Sequence, residues 1–233
     1  MAVDVAFDVY SDARGRDPDS HSPTLRLFHR ELWSKRLPNG EMFNLSADRP
    51  GHYLHHRSDL GEFSLSSDSI AHTYRYVKAM AAIVRDVPPE ELESFYSLAC
   101  TVGGYIVFPA KKIDGKATIN GTRGLNAAIR DRFDLTLECI RRHYSQEDSP
   151  LSDVLGRYTE FFRLFGSFEG YVDFFLLQDM VDESGAVRFF LPFGGFGQKP
   201  LPSDLSGYMV YRKAMMNFIS ARGRRMLAQA CDT

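Results

Sequence analysis

The densest ionisable chemistry in the chain lies between Pro109 and Tyr144, in PAKKIDGKATINGTRGLNAAIRDRFDLTLECIRRHY. Its first half carries Lys111, Lys112, Lys116, Asn120 and Arg123, interleaved with Gly115, Gly121 and Gly124, whose missing Cβ lets a backbone fold tightly around a ligand. A loop of this kind that feeds a helix N-terminus suits an anion, because free N–H groups and the helix dipole point the same way. Lys111, Lys112, Lys116, Asn120, Arg123 and Asn126 are therefore the candidate ligand-binding residues, for a phosphate-bearing small molecule such as a nucleotide or for a nucleic-acid segment. The pattern is not a P-loop, which needs Gly where Ala110 stands and Ser or Thr where Ala117 stands. The plainer reading is a solvated hairpin at Asp114-Gly115 followed by an ordinary helix start.

The second half predicts a helix over residues 125–144, with Leu125, Ile129, Phe133, Leu137, Ile140 and Tyr144 as its core stripe. Arg130 and Asp134, Asp134 and Glu138, and Glu138 and Arg142 each stand four residues apart. The outer pairs attract, whereas the central pair of carboxylates is unfavourable unless a cation sits between them. Asp134 and Glu138, with Asp131 nearby, are thus candidate catalytic carboxylates, and Mg²⁺ is left open as a cofactor; no residue is assigned as a dedicated metal ligand. A surface ladder of ion pairs explains the same spacing. His143 at the helix end and His56 are the candidate proton carriers. His56 belongs to a cluster with His52 and His55; on a strand His52 and His56 would share a face, so a metal there needs a further ligand from another element.

These groups must be positioned by a chain of 233 residues with 44% hydrophobic, 25% charged and 13% aromatic content, the composition of a soluble globular protein. A formal charge of −2 and a pI near 6.4 argue against a globally basic nucleic-acid binder but leave room for a basic patch. Cys100, Cys139 and Cys231 form no close pair, which favours reduced thiols and a cytoplasmic location. The N-terminus lacks a signal-peptide pattern and no apolar run is long enough to span a bilayer, so no membrane association is expected.

The alternation of Val3, Val5, Phe7 and Val9 predicts a strand, and Ser22-Pro23 an N-cap and first helical residue. Residues 42–45, 52–56 and 62–65 are expected as a meander of short strands, followed by helices over 70–85 and 90–101 and a strand over 105–108. Beyond the central stretch, helices are expected from Ser149-Pro150 to Phe165, over 168–180 and over 205–228, with a strand over 187–191. The fold class is α+β in a single domain: a small antiparallel sheet from the N-terminal half packed with a helix-dominated C-terminal half.

The segments FDVYSDARGRDPDSHSPTLR, LWSKRLPNG, FSLSSDS, GGYIVFPAKKIDGKATINGTRG, DRFDLTLECIRRHY, GYVDFFLLQD and ARGRRM resemble DUF6994, a bacterial family of unknown function, nearly from end to end. The resemblance implies a bacterial or phage-linked intracellular protein and assigns no activity to any residue. Whether the chain is an enzyme stays open. The alternative to a phosphate-binding protein is a non-catalytic interaction module or homo-oligomer that uses the aromatic runs FFRLF, YVDFF and FFLPFGGF.

Overall fold

The computed structural model describes residues 2–48 and 51–231, with the side chain of Cys231 outside the described part. Its sheet grows from one hairpin: Leu54–Ser58 (β1) and Gly61–Ser69 (β2) pair antiparallel, with Gly61 at φ 138° where the chain turns. β2 then pairs antiparallel with Tyr105–Pro109 (β3), Leu65 opposite Pro109 and Ser69 opposite Tyr105. The strand order is β1-β2-β3. β1 buries Leu54 and His56 and exposes Arg57, as expected of a half-covered strand, whereas every residue of β3 is buried, which is why β3 reads as a continuous apolar run.

Helices surround this sheet. Asp17 caps a single turn, Pro18–His21 (α1), and Ser22 caps Pro23–Trp33 (α2), its Oγ accepting the Leu25 N–H at 3.0 Å as the Ser-Pro pair predicts. Ala81–Arg85 (α3) and Pro89–Ala99 (α4) precede β3; Ile119–Leu125 (α5), Phe133–Tyr144 (α6), Ser152–Arg157 (α7), Thr159–Arg163 (α8), Phe168–Phe174 (α9) and Leu205–Cys231 (α10) follow it. The long α10 packs on α4, α3, α2 and the single turn Val102–Gly104 that precedes β3. From it the fully buried Arg222 donates to the carbonyls of Gly103 at 2.8 Å, Tyr105 at 2.7 Å and Phe175 at 3.1 Å, satisfying backbone acceptors beside β3 while its face rests on Trp33. The runs FFRLF and YVDFF supply the core: Phe161, Phe165, Tyr171, Phe174 and Phe175 interlock, with Tyr171 and Phe175 ring centres 4.9 Å apart. The fold is α+β, with its sheet in the N-terminal half. Among the described residues no helix is long and apolar enough to cross a membrane.

Several expected elements differ. Residues 3–9 form turns, not a strand, because the carboxylates of Asp4 and Asp8 accept the N–H groups of Ala6 and Tyr10, each at 2.9 Å. The expected strand over 42–45 is reduced to one bridge, Arg36 to Met42, and that over 187–191 to a bridge from Val181 to Val187. The stretch 70–77 runs without helix, since the Tyr208 and Tyr211 hydroxyls of α10 donate to the Thr73 and His72 carbonyls at 2.7 and 2.8 Å. The helix expected over 150–165 divides at Tyr158 into α7 and α8, and that over 168–180 ends at Phe174.

The helix expected over 125–144 breaks at 126–132. Asn126 Oδ1 accepts the Ala128 N–H at 2.9 Å, and Arg130 and Asp131 take φ values of 46° and 59°, a left-handed corner that no helix can continue through.

Candidate functional site

The expected phosphate loop splits into an outer and an inner part. Lys111, Lys112 and Lys116 are exposed on a turn where Asp114 and Gly115 have positive φ, and they form no ion pair among the described residues. The loop is held from behind, Tyr158 Oη donating to the Lys111 carbonyl at 2.9 Å and Arg157 to that of Ala117 at 2.7 Å. Arg123, expected beside the lysines, instead points inward and is buried. Its guanidinium donates to the Ser69 carbonyl at 2.8 Å, Asn120 Oδ1 at 3.3 Å and the Asp131 carbonyl at 3.1 Å. Asn120 is thereby used to hold Arg123, and Asn126 Nδ2 donates to the Pro150 carbonyl at 3.1 Å.

The acidic pair is likewise taken by arginines. Asp134 has no solvent exposure; its carboxylate receives both arms of Arg132 and, at 2.9 Å, the Phe190 N–H. The expected Arg130–Asp134 pair does not form, because the corner at 130–131 brings Arg132 inward in its place. Glu138 is clamped by Arg141 and Arg142 at 2.8–3.0 Å, with Glu147 closing a four-residue network. Among the described residues no group of three or more His, Cys, Asp or Glu side chains is placed to hold a metal ion.

The histidines serve different surroundings. His56 is buried with Nδ1 3.2 Å from the Asn44 carbonyl and its ring 4.3 Å from that of Phe43, and burial lowers its pKa. His143 is half-buried, lowered by burial too, and lines an open cleft of about 600 Å³ with Glu147, Thr159, Phe162 and Arg163. His55 faces Ser64 across the hairpin. His56 and His143 therefore line separate cavities and do not join Asp134 in one site.

A different set converges. Loop 11–16, α1, the start of α2 and His52 enclose a cleft of about 600 Å³ whose charged walls are Arg14, Arg16, Arg26 and Asp12. Arg14, at φ 55°, and Gly15, at φ 71°, make the tight turn that presents Arg14 and Arg16, and neither arginine forms an ion pair with any described residue. Arg26 reaches across to the Gly51 carbonyl at 3.2 Å. His21 and His52 lie with ring centres 4.7 Å apart on the rim. Asp12 is committed inward: its Oδ2 accepts the Thr24 N–H at 3.0 Å. Burial alone would raise its carboxyl, and the bonds from Ser22 and Thr24 outweigh that and hold it below the usual carboxylate range.

Directly behind α1 lies a buried acidic centre. Asp68, near the end of β2, is fully buried with Oδ2 unpartnered, and burial together with Asp19 raises its pKa well above the carboxylate range. Asp19 of α1 also has a buried, unpartnered oxygen, and burial and Asp17 push it up to about 8. Arg123 acts on both carboxyls, and Asp131 joins from the corner, 3.8 Å from Arg123 Nε and 3.7 Å from His72 Nε2.

Residues 3–226 match the model of a family of unknown function, DUF6994. The chain belongs to that family. The match takes in the basic cleft, the buried acidic centre and the central stretch alike, so the DUF6994 unit contains all three. Comparison with curated proteins and with solved structures gives no match. The basic cleft escapes sequence inspection because its side chains come from a loop, two helices and the approach to β1. The only local signal is the pair of arginines flanking Gly15 in SDARGRD, which composition alone assigns to a solvated loop.

Proposed function

We propose that the chain works as a single domain that binds a phosphate-bearing small molecule of nucleotide size in the cleft of Arg14, Arg16 and Arg26. The observation that carries this reading is the charge balance of the cleft: three arginines, two of them unpaired, face one carboxylate that is turned inward to Thr24. Guanidinium forks bind phosphate oxygens in pairs, and a concave wall lets several act on one group. A cleft of about 600 Å³ also falls in the size range of small-molecule sites rather than that of a nucleic-acid groove. The rings of His21 and His52, tilted by 42° to each other on the rim, offer aromatic surface to a base or sugar. The α2 N-terminus adds its dipole only, since Thr24 and Leu25 already give their N–H groups to Asp12 and Ser22. Free, buried Cys100 and Cys139, pushed up to about 11 and about 12 by burial, suit a reducing compartment such as the cytoplasm.

Calorimetric titration with pyrophosphate, AMP and ATP tests the proposal. Binding is expected for at least one of them and is expected to weaken about tenfold or more in Arg14→Ala and Arg26→Ala, in line with losing a charge-assisted hydrogen bond. The triple change of Lys111, Lys112 and Lys116 to Ala should leave it unchanged. Absence of binding by all three probes would refute the proposal, and loss of binding only in the lysine variant would move the site to the central loop.

A further inference from the structure

We propose that α1 is a proton-controlled latch: it stays docked on β2 while Asp19 carries a proton, and ionisation of Asp19 loosens it. The geometry behind this is a one-turn helix that packs on β2, with Asp19 on the helix and the buried Asp68 on the strand each keeping a buried oxygen that has no hydrogen-bond partner among the described residues. Such a turn is too short to be stable alone and depends on its docking. A carboxylate oxygen shut away from water without a donor or a compensating cation is unfavourable, so ionisation works against docking.

The surrounding groups do not supply that compensation. Asp17, Tyr10 and, from β3, Tyr105 act on Asp19, which the Ser69 N–H offsets only in part, whereas Asp17, Asp131 from the corner before α6 and Tyr171 from α9 act on Asp68. Among the described residues Arg123 is the cation acting on both carboxyls, and its donors go to Ser69, Asn120 and the Asp131 carbonyl. The consequence for the cleft is direct, because Ser20 and His21 of α1 form part of its wall. The latch itself does not depend on what the cleft binds.

The sign follows from linkage. Asp19 titrates higher when docked, at about 8, than when free, at about 3.9. Docking is therefore strongest below the free value, weakens about tenfold per pH unit between the two, and levels off above the docked value. Amide hydrogen exchange of Ser20, His21 and Ser22, whose N–H groups bond within α1, measures docking directly, with the β3 amides as the reference for global opening.

After correction for intrinsic exchange, protection of the α1 amides relative to β3 is expected to fall about tenfold per unit from pH 5 to pH 7.5. In Asp19→Asn, an isostere of the protonated acid, protection should stay high and flat. Asp68→Asn, at a carboxyl that burial and Asp19 keep protonated across this range, should retain the native slope. A pH-independent ratio in the native chain, the native slope retained in Asp19→Asn, or that slope lost in Asp68→Asn would overturn the latch. The native profile decides the matter even if one variant fails to fold.

Discussion

Asp134 shows at the level of a single side chain how the charges of the central stretch are used. It is fully buried and bound by Arg132 and the Phe190 N–H, while Arg132 also donates to the Pro200 carbonyl at 2.9 Å. The pair thereby pins the 188–201 segment to the start of α6. Removing one partner of a buried pair strands the other charge, at a cost of about 3–5 kcal/mol. Asp134→Ala should lose about that much stability in urea denaturation, and a loss below about 1 kcal/mol would show that Arg132 reaches solvent instead. His29 belongs to the same class of structural polar residue. Its Nδ1 accepts the Trp33 Nε1–H at 3.0 Å, its Nε2 lies 2.8 Å from Ser67 Oγ, and burial lowers it to about 3, so it stays neutral.

Between elements, close approach sets the constraints. Gly104 lies where α4 ends and β3 begins, and a Cβ there would overlap the Ala99 carbonyl oxygen; one at Gly103 would come within 3.0 Å of the Ile219 carbonyl on α10. Gly104→Ala must therefore displace backbone, and a destabilisation of about 1–3 kcal/mol is expected by thermal or chemical melting. An unchanged melting point would mean that this junction is looser than its packing indicates.

Elements set by short-range chemistry were open to sequence reasoning: the Ser22-Pro23 cap, α4, β3 and α10. Elements set by distant partners were not. Of the expected stripe, Ile129, Phe133, Leu137 and Ile140 are buried and Tyr144 partly so, but Leu125 is 84% exposed because α5 ends there, and Ile129 reaches the core from a turn, which apolar spacing cannot distinguish from a helix. The 70–77 stretch likewise has helical spacing but gives its carbonyls to tyrosines more than 130 residues away. The same limit applies to the site. Arg123 looks like a surface phosphate ligand in the sequence, and only the fold turns it toward Asp19 and Asp68.

Across the whole molecule, the positive and negative charges are nearly balanced, with a formal net charge of −2, so any anion site must be made by local arrangement. Arginines of the interior are bound to carbonyls or carboxylates, as Arg222, Arg123 and Arg132 show, whereas Arg14 and Arg16 form no ion pair with any described residue and line a concave surface. That contrast is the basis for placing ligand binding there rather than in the richer-looking central stretch. The most direct test is amide chemical-shift mapping of the isotopically labelled chain during titration with pyrophosphate. Saturable shifts concentrated in residues 12–26 and at His52 are expected, with the amides of 111–118 unmoved; shifts centred on 111–118, or none at all, would contradict binding in the cleft.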